Sequence, residues 1–412
     1  MMVWISILLS FFFFVACEKD LLPDPNDCPN PPCVDEPAPS KIGLLDTLWS
    51  VAIGDVYTST NHIEVVDGVV YFSHGSTIIA FDAIMGKEIW RWQDTQLGRH
   101  ITFDICSQKE SVFVQNFRNI AAVDLKNGST LHRFTENKNG CTASPRGSLL
   151  GDHYYYVRRC NNNSSAIMRR THKNDFISWE DLYILEQGED TGGSRPNIES
   201  YNLWVNPTNG DSVIVFQHRM SIPNRVDVVA FSLNTRETLW RHNDINVSGN
   251  SNHQQMLVMD DKAYIMAGEV VIAYDMLSGD VVWKHYDPGL VIRFMFHKFE
   301  YAESINAILV KGNSPRLYGL DPETGAENLF ISDATDDSVS SGSPIYHNGI
   351  IYYNTSSYLH AVRAANGENL WKERSFLNTN SRFNGDIGID EDNGLLFAAD
   401  GYYLFAIRMY ED

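Results

Sequence analysis

Ala80-Phe81-Asp82-Ala83-Ile84-Met85-Gly86-Lys87-Glu88-Ile89-Trp90 is the stretch that decides the fold. It reads as the end of an apolar strand, a turn running from Asp to Gly, and a short strand carrying Trp. Its small residue stands two before the Asp and ten before the Trp. Outward from this stretch the pattern returns. Ala273-Tyr274-Asp275, Gly279 and Trp283 keep every offset, and Ala361, Gly367 and Trp371 keep them with Arg363 in the Asp position. Ala230 and Trp240 hold the spacing of ten, with Ser232 and Arg236 replacing Asp and Gly. Weaker copies run Ala122, Asp124, Gly128 to His132, and Gly319, Asp321, Gly325 to Leu329; a degraded copy ends at Trp179. With Trp49 one period earlier, successive slots lie 41, 42, 47, 61, 43, 46 and 42 residues apart. A period in the low forties is the length of one four-stranded propeller blade.

The strands within one period are legible. Val69-Val70-Tyr71-Phe72-Ser73 is β-branched and aromatic, bounded by Asp67-Gly68 and Gly75, and Thr77-Ile78-Ile79-Ala80-Phe81 follows it. Gly349-Ile350-Ile351-Tyr352-Tyr353 and Tyr358-Leu359-His360-Ala361-Val362 match them later. No segment sustains a 3.6-residue period, so the chain reads as all-β. At the C-terminus, Leu395–Ala398 and Tyr403–Ile407 supply inner strands, but the chain ends at Asp412 before an outer one. That outer strand stands at Leu48-Trp49-Ser50-Val51. The expectation is an eight-bladed β-propeller of four-stranded antiparallel blades, closed by pairing of the N- and C-terminal strands, with no open edge.

Alanine, Asp, Gly and a terminal Trp over eleven residues, after a Gly-bounded strand, resemble the quinoprotein-type repeat of PQQ-like eight-bladed propellers. The resemblance covers residues 44–412. It implies that each Trp packs on the Gly peptide and small residue of the neighbouring motif. Trp49, Trp90, Trp179, Trp240, Trp283 and Trp371 are the expected docking residues. In architecture the chain is similar to the propeller lipoprotein of the outer-membrane β-barrel assembly machinery. Dehydrogenases of the PQQ-like family hold a quinone over calcium, commonly beneath a ring of two adjacent cysteines. No Cys-Cys pair occurs here, so no quinone, no other cofactor and no metal are expected.

The N-terminus supplies an address. Val3 to Ala16 is an uncharged run of 14 residues, too short to span a bilayer but suited to a signal-peptide apolar region. Val15-Ala16-Cys17 resembles the lipobox of bacterial lipoproteins and implies lipid attachment at Cys17. The expected organisation is a signal peptide over 1–16, a tether over 17–43 and the propeller over 44–412. Pro23, Pro25, Pro29, Pro31, Pro32, Pro37 and Pro39 make the tether extended and semi-rigid. The charged Glu18-Lys19-Asp20 resembles a surface-export signal, which favours the cell surface over the periplasmic face of the outer membrane. In an oxidising compartment, Cys28 with Cys33 and Cys141 with Cys160 are the expected disulfides, leaving Cys106.

Composition narrows the partners. The 412 residues carry 52 Asp+Glu against 32 Lys+Arg, a net charge of −20, which repels phosphate backbones and excludes nucleic acid. Asp390-Glu391-Asp392-Asn393-Gly394 lies between two strands and reads as a hairpin, because no Glu follows at calcium-loop distance. Asp333, Asp336 and Asp337 read as an exposed loop. His100, His132, His253 and His297 show no metal-ligand spacing. There is no Gly-x-Ser-x-Gly elbow, and no catalytic residue is singled out. The long gap before Trp240 implies an insertion over 180–210. Its Trp204 is a contact residue or, the favoured reading, a core residue of an irregular strand. The expected function is a non-catalytic scaffold, lipid-anchored to the outer membrane, that binds a protein partner in the cell envelope. The alternatives are an enzyme, either a quinoprotein dehydrogenase or a hydrolase using the central funnel, and a surface carbohydrate-binding protein.

Overall fold

The protein is described here by a computed structural model covering residues 46–410, apart from 54–61, 94–101, 107–110, 116–118, 136–140, 161–164, 173–177, 189–195, 222–223, 247–255, 288–297, 313–315, 333–341, 375–381 and 384. The chain divides between Ile42 and Gly43, and every described residue lies in the second unit. Cys17, Cys28 and Cys33 therefore fall outside the described residues, as do Asp333, Asp336, Asp337, His100, His253 and His297.

The described strands form eight four-stranded antiparallel sheets, the blades of a propeller ring. Blades 1 to 7 span 63–93, 102–135, 142–186, 198–246, 257–286, 300–332 and 345–374, each in simple sequence order. Blade 8 combines the C-terminal strands Gly388–Asp390, Leu395–Ala399 and Tyr403–Arg408 with Thr47–Ala52 from the other end of the chain. Trp49 pairs with Ala406 and Ala52 with Tyr403, so one hydrogen-bonded ladder closes the ring. Helix is confined, among the described residues, to the short 3-10 turn Glu303–Ile305.

Within a blade, burial follows position. The second and third strands of blade 1, Val69–His74 and Thr77–Asp82, are buried on both faces and so read as continuous apolar runs. The fourth, Glu88–Gln93, is exposed except at Trp90 and Trp92 and alternates. First strands of adjacent blades touch along the inner edge of the ring. The core is consequently sliced, with one apolar cluster filling each of the eight seams between neighbouring blades.

The expected register holds in most blades. Ala80 faces Trp90, Ala122 faces His132, Ala230 faces Trp240, Ala273 faces Trp283, Gly319 faces Leu329 and Ala361 faces Trp371. Each pair is followed at once by a bulge. In blade 3 the pair next to the bulge is Met168 and Tyr183, so Tyr183 occupies the slot and Trp179 does not. Blade 3 lacks the small residue, Asp and Gly that fix the register elsewhere, and the indole four residues upstream misdirected the reading. Trp179 packs backward instead, 5.0 Å from Phe134 of blade 2 and 4.8 Å from Tyr156. The expected insertion before Trp240 is also redistributed. Much of its length goes into longer strands of blade 4, Ile198–Val205, Ser212–Ser221, Asn224–Ser232 and Thr238–Asn246. Trp204 is a buried seam residue whose indole N–H donates to Asp260 O at 2.9 Å in blade 5.

Candidate functional site at the axial face

Two sets of side chains tie the blades together, one at the rim and one at the axis. The rim set is built on the Asp-to-Gly turn. Asp82 Oδ1 accepts from the N–H groups of Ile84 and Met85, and the Gly86 N–H donates to Asp82 O. Gly86 has φ +65, and a Cβ there would lie 2.6 Å from the Trp49 ring. Glycine is thus required twice, for the left-handed backbone and for the flat indole laid on the peptide. The indole N–H then reaches a carbonyl of the same turn: Trp49 to Ala83 O at 2.8 Å, Trp90 to Leu125 O at 2.9 Å, Trp240 to Met276 O at 3.0 Å and Trp283 to Pro322 O at 2.9 Å. Trp371 differs. The turn it would meet in blade 8 is split between the chain ends, and it packs partly buried among residues that include Met409 and Tyr410.

The axial set lies where the chain enters each first strand. The Lys298 N–H donates to Ser343 Oγ at 2.8 Å, carrying blade 6 to blade 7. Ser343 Oγ donates in turn to Asp386 Oδ1 at 3.4 Å, which leads into blade 8. His62 Nδ1 donates to Asp386 Oδ2 at 2.6 Å, which leads into blade 1, and the His62 ring meets Phe103 of blade 2 edge-on at 4.7 Å. One layer outward, the buried Lys311 ammonium donates to Gly342 O at 2.8 Å and to Asn354 O, while Asn354 Nδ2 donates to Gly385 O at 2.9 Å. Burial pulls the Asp386 carboxyl upward, but the His62 bond and charge, Lys298 and the Ser343 N–H outweigh it and hold it below the usual carboxylate range.

Ser343, Asp386 and His62 have the composition of a hydrolytic triad but the wrong order. A triad needs the imidazole between hydroxyl and carboxylate, so that it can take the nucleophile's proton. Here the carboxylate stands in the middle, and the hydroxyl already accepts the Lys298 N–H. The chemistry this arrangement supports is blade-to-blade attachment. Burial pushes the Glu300 carboxyl upward, to about 6, although an N–H bond from Tyr346 across the 6/7 seam opposes the shift. Among the described residues, no three His, Cys, Asp or Glu side chains converge as a metal-ion donor set.

The other sequence candidates fall into place simply. Asp390 Oδ1 accepts from the Asn393 N–H, which makes the 390–394 stretch a hairpin turn. His132 is exposed in its slot. Cys141 and Cys160 are joined by a disulfide. The axial residues carried no sequence signal. His62 and Asp386 are 324 positions apart and belong to no motif.

Residues 224–411 match the family model described as outer membrane protein assembly factor BamB. Among solved structures, the chain is similar to BamB from Moraxella catarrhalis, at 10% identity and a TM-score of 0.58, over 90% of this chain and 99% of that one. It is also similar to the quinohemoprotein alcohol dehydrogenase from Comamonas testosteroni, at 11% identity and a TM-score of 0.66, over 89% of this chain and 78% of that one. The quinohemoprotein alcohol dehydrogenase ADHIIG from Pseudomonas putida HK5 gives 10% identity and a TM-score of 0.64, over 89% and 76%. Among curated proteins no sequence matches it. The chain is an eight-bladed β-propeller, similar in architecture to BamB.

Proposed function

We propose that this protein is a non-catalytic scaffold that binds a protein partner in the cell envelope, held at the outer membrane by a lipid on Cys17. The observation that carries the reading is the match of residues 224–411 to the BamB family model. The axial side chains support it, since Ser343, Asp386 and His62 link blades in an order that serves no hydrolysis. A rigid ring with divergent loops is a suitable carrier for a protein-binding surface. Crosslinking in intact cells, followed by pull-down from outer membranes, tests both parts. A discrete partner that is lost when Cys17→Ala moves the protein out of the membrane fraction supports the reading. Capture of no protein from wild-type membranes sinks it.

The second reading is a dehydrogenase, favoured by the likeness to the two quinohemoprotein enzymes. Its test is reconstitution with quinone and calcium, followed by absorbance and a dye-linked alcohol oxidation assay. Stoichiometric uptake with turnover would establish it against the scaffold.

A further inference from the structure

Blade 3 differs from the others at its axial end. Its first strand, Thr142–Leu150, pairs with His153–Cys160 in two separate pieces. Gly147 to Leu150 pair with Tyr156 to His153, and Thr142 and Ala143 pair with Arg159 and Arg158. Between the pieces, Ser144-Pro145-Arg146 stand opposite Val157 alone, and Pro145 has no N–H to give the ladder. Gly147 marks the break from below. A Cβ there would lie 2.0 Å from the Tyr154 hydroxyl and 2.3 Å from Gln115 Oε1, two groups that bond each other across the 2/3 seam at 2.8 Å. The lower piece is therefore wedged into the seam, while the upper piece is two ladder pairs long. Such a short ladder does not hold itself. Beyond it, where the next pair would stand, Cys141 and Cys160 are bonded, with Cα atoms 4.1 Å apart. Together with Ile167 they make a small buried cluster apart from the eight seam clusters.

We propose that the Cys141–Cys160 disulfide is a local latch on the axial end of blade 3, and that opening it releases residues 141–146 alone while the eight-bladed ring stays closed. A dithiol opens it: one thiolate attacks a latch sulfur and expels the other latch sulfur as a thiolate, and the reagent's second thiolate then attacks its own sulfur in the mixed disulfide and expels the remaining protein thiolate. The protein gains two thiols and the dithiol closes to a disulfide, so electrons and protons balance. Cys141 is 6% exposed and Cys160 5%. Attack must therefore wait for the segment to swing out, and the rate of reduction reports that opening rather than the ambient redox level. The inference does not depend on the scaffold reading.

Hydrogen exchange read by mass spectrometry tests it on the full chain, in the oxidised state, after dithiothreitol, and in the Cys141→Ser/Cys160→Ser double variant. The double variant isolates this bond from the other cysteines. The expected result is exchange about tenfold or more faster at the amides of 142–144, 146–147 and 158–160 both after dithiothreitol and in the double variant, as for a local opening. Protection in Thr47–Ala52 and Tyr403–Arg408 should be unchanged. Unaltered exchange at 142–147 in the double variant would overturn the latch. Faster exchange around the whole ring would overturn it too, by making the bond a global staple.

Discussion

The seam between blades 5 and 6 and the seam between blades 3 and 4 use the same turn with different anchors. At 5/6, Trp283 lies flat on Gly325, which has φ +68, and donates to Pro322 O. At 3/4, the turn keeps its shape, with the Arg236 N–H donating to Ser232 O at 3.1 Å, but a non-glycine residue sits at φ 63. A Cβ there closes the platform to an indole. Tyr183 packs deeper instead, its ring 4.9 Å from Phe216 and 5.3 Å from Phe231. The rim is completed by charge, with the Arg236 and Arg170 guanidinium groups both on the Glu180 carboxylate. Burial raises the Glu180 carboxyl, and the Arg170 bond and the two positive charges more than reverse it. Slot and platform thus change together. At 6/7 the platform glycine, Gly367, is met by Leu329 and Ile331 instead of an indole.

The largest test of this comparison removes a tie outright. Trp283→Ala should cost roughly 3–5 kcal/mol in denaturant unfolding, the range for a buried large aromatic cut to Ala. Tyr183→Ala should leave the salt links of the 3/4 rim in place and cost less. A loss below about 1 kcal/mol at Trp283 would mean that the indole does not carry the seam.

Smaller effects follow from the platform. Gly325→Ala should cost roughly 1–2 kcal/mol from the left-handed backbone alone, and more because the indole must lift. Arg236→Gly should stay within about 1 kcal/mol of wild type, since relief of the backbone offsets a surface ion pair of similar size. If the two mutations cost the same, the seams do not differ as described.

The coupling between slot and platform is open to a double-mutant cycle. Tyr183→Trp should destabilise with Arg236 present and do so less with Arg236→Gly. The expected interaction energy is on the order of 1 kcal/mol. Strict additivity would show that the two positions vary independently.

A seam without an indole is open to a test by pH, at 6/7, where Leu329 stands in the slot. Glu300 is raised to about 6, so its contribution to stability is full below the unfolded carboxyl value and is lost as pH rises through 6. Wild type should lose about 1–2 kcal/mol between pH 4.5 and 6.5 that Glu300→Gln does not lose. The window is distinct from that of Asp386, whose depressed value gives stability present at neutral pH and lost only in stronger acid. Parallel pH profiles for wild type and variant would remove Glu300 from the account.

The sequence by itself determined the fold and its rim. The period, the Asp-to-Gly turns and the unpaired outer strand at Trp49 are local patterns, and each blade repeats one covalent stretch whose turn chemistry fixes its own register. Where that chemistry is absent, at Trp179, the register could not be read, and the strand slid by four residues to Tyr183. The tertiary structure alone decided the axial face. His62, Ser343 and Asp386 come from three blades, and closure of the ring across more than three hundred residues makes them neighbours. It also decided which indoles dock. A Trp finds its platform on the next blade, and whether that platform is open depends on a residue 37 to 53 positions away, beyond the reach of any local pattern.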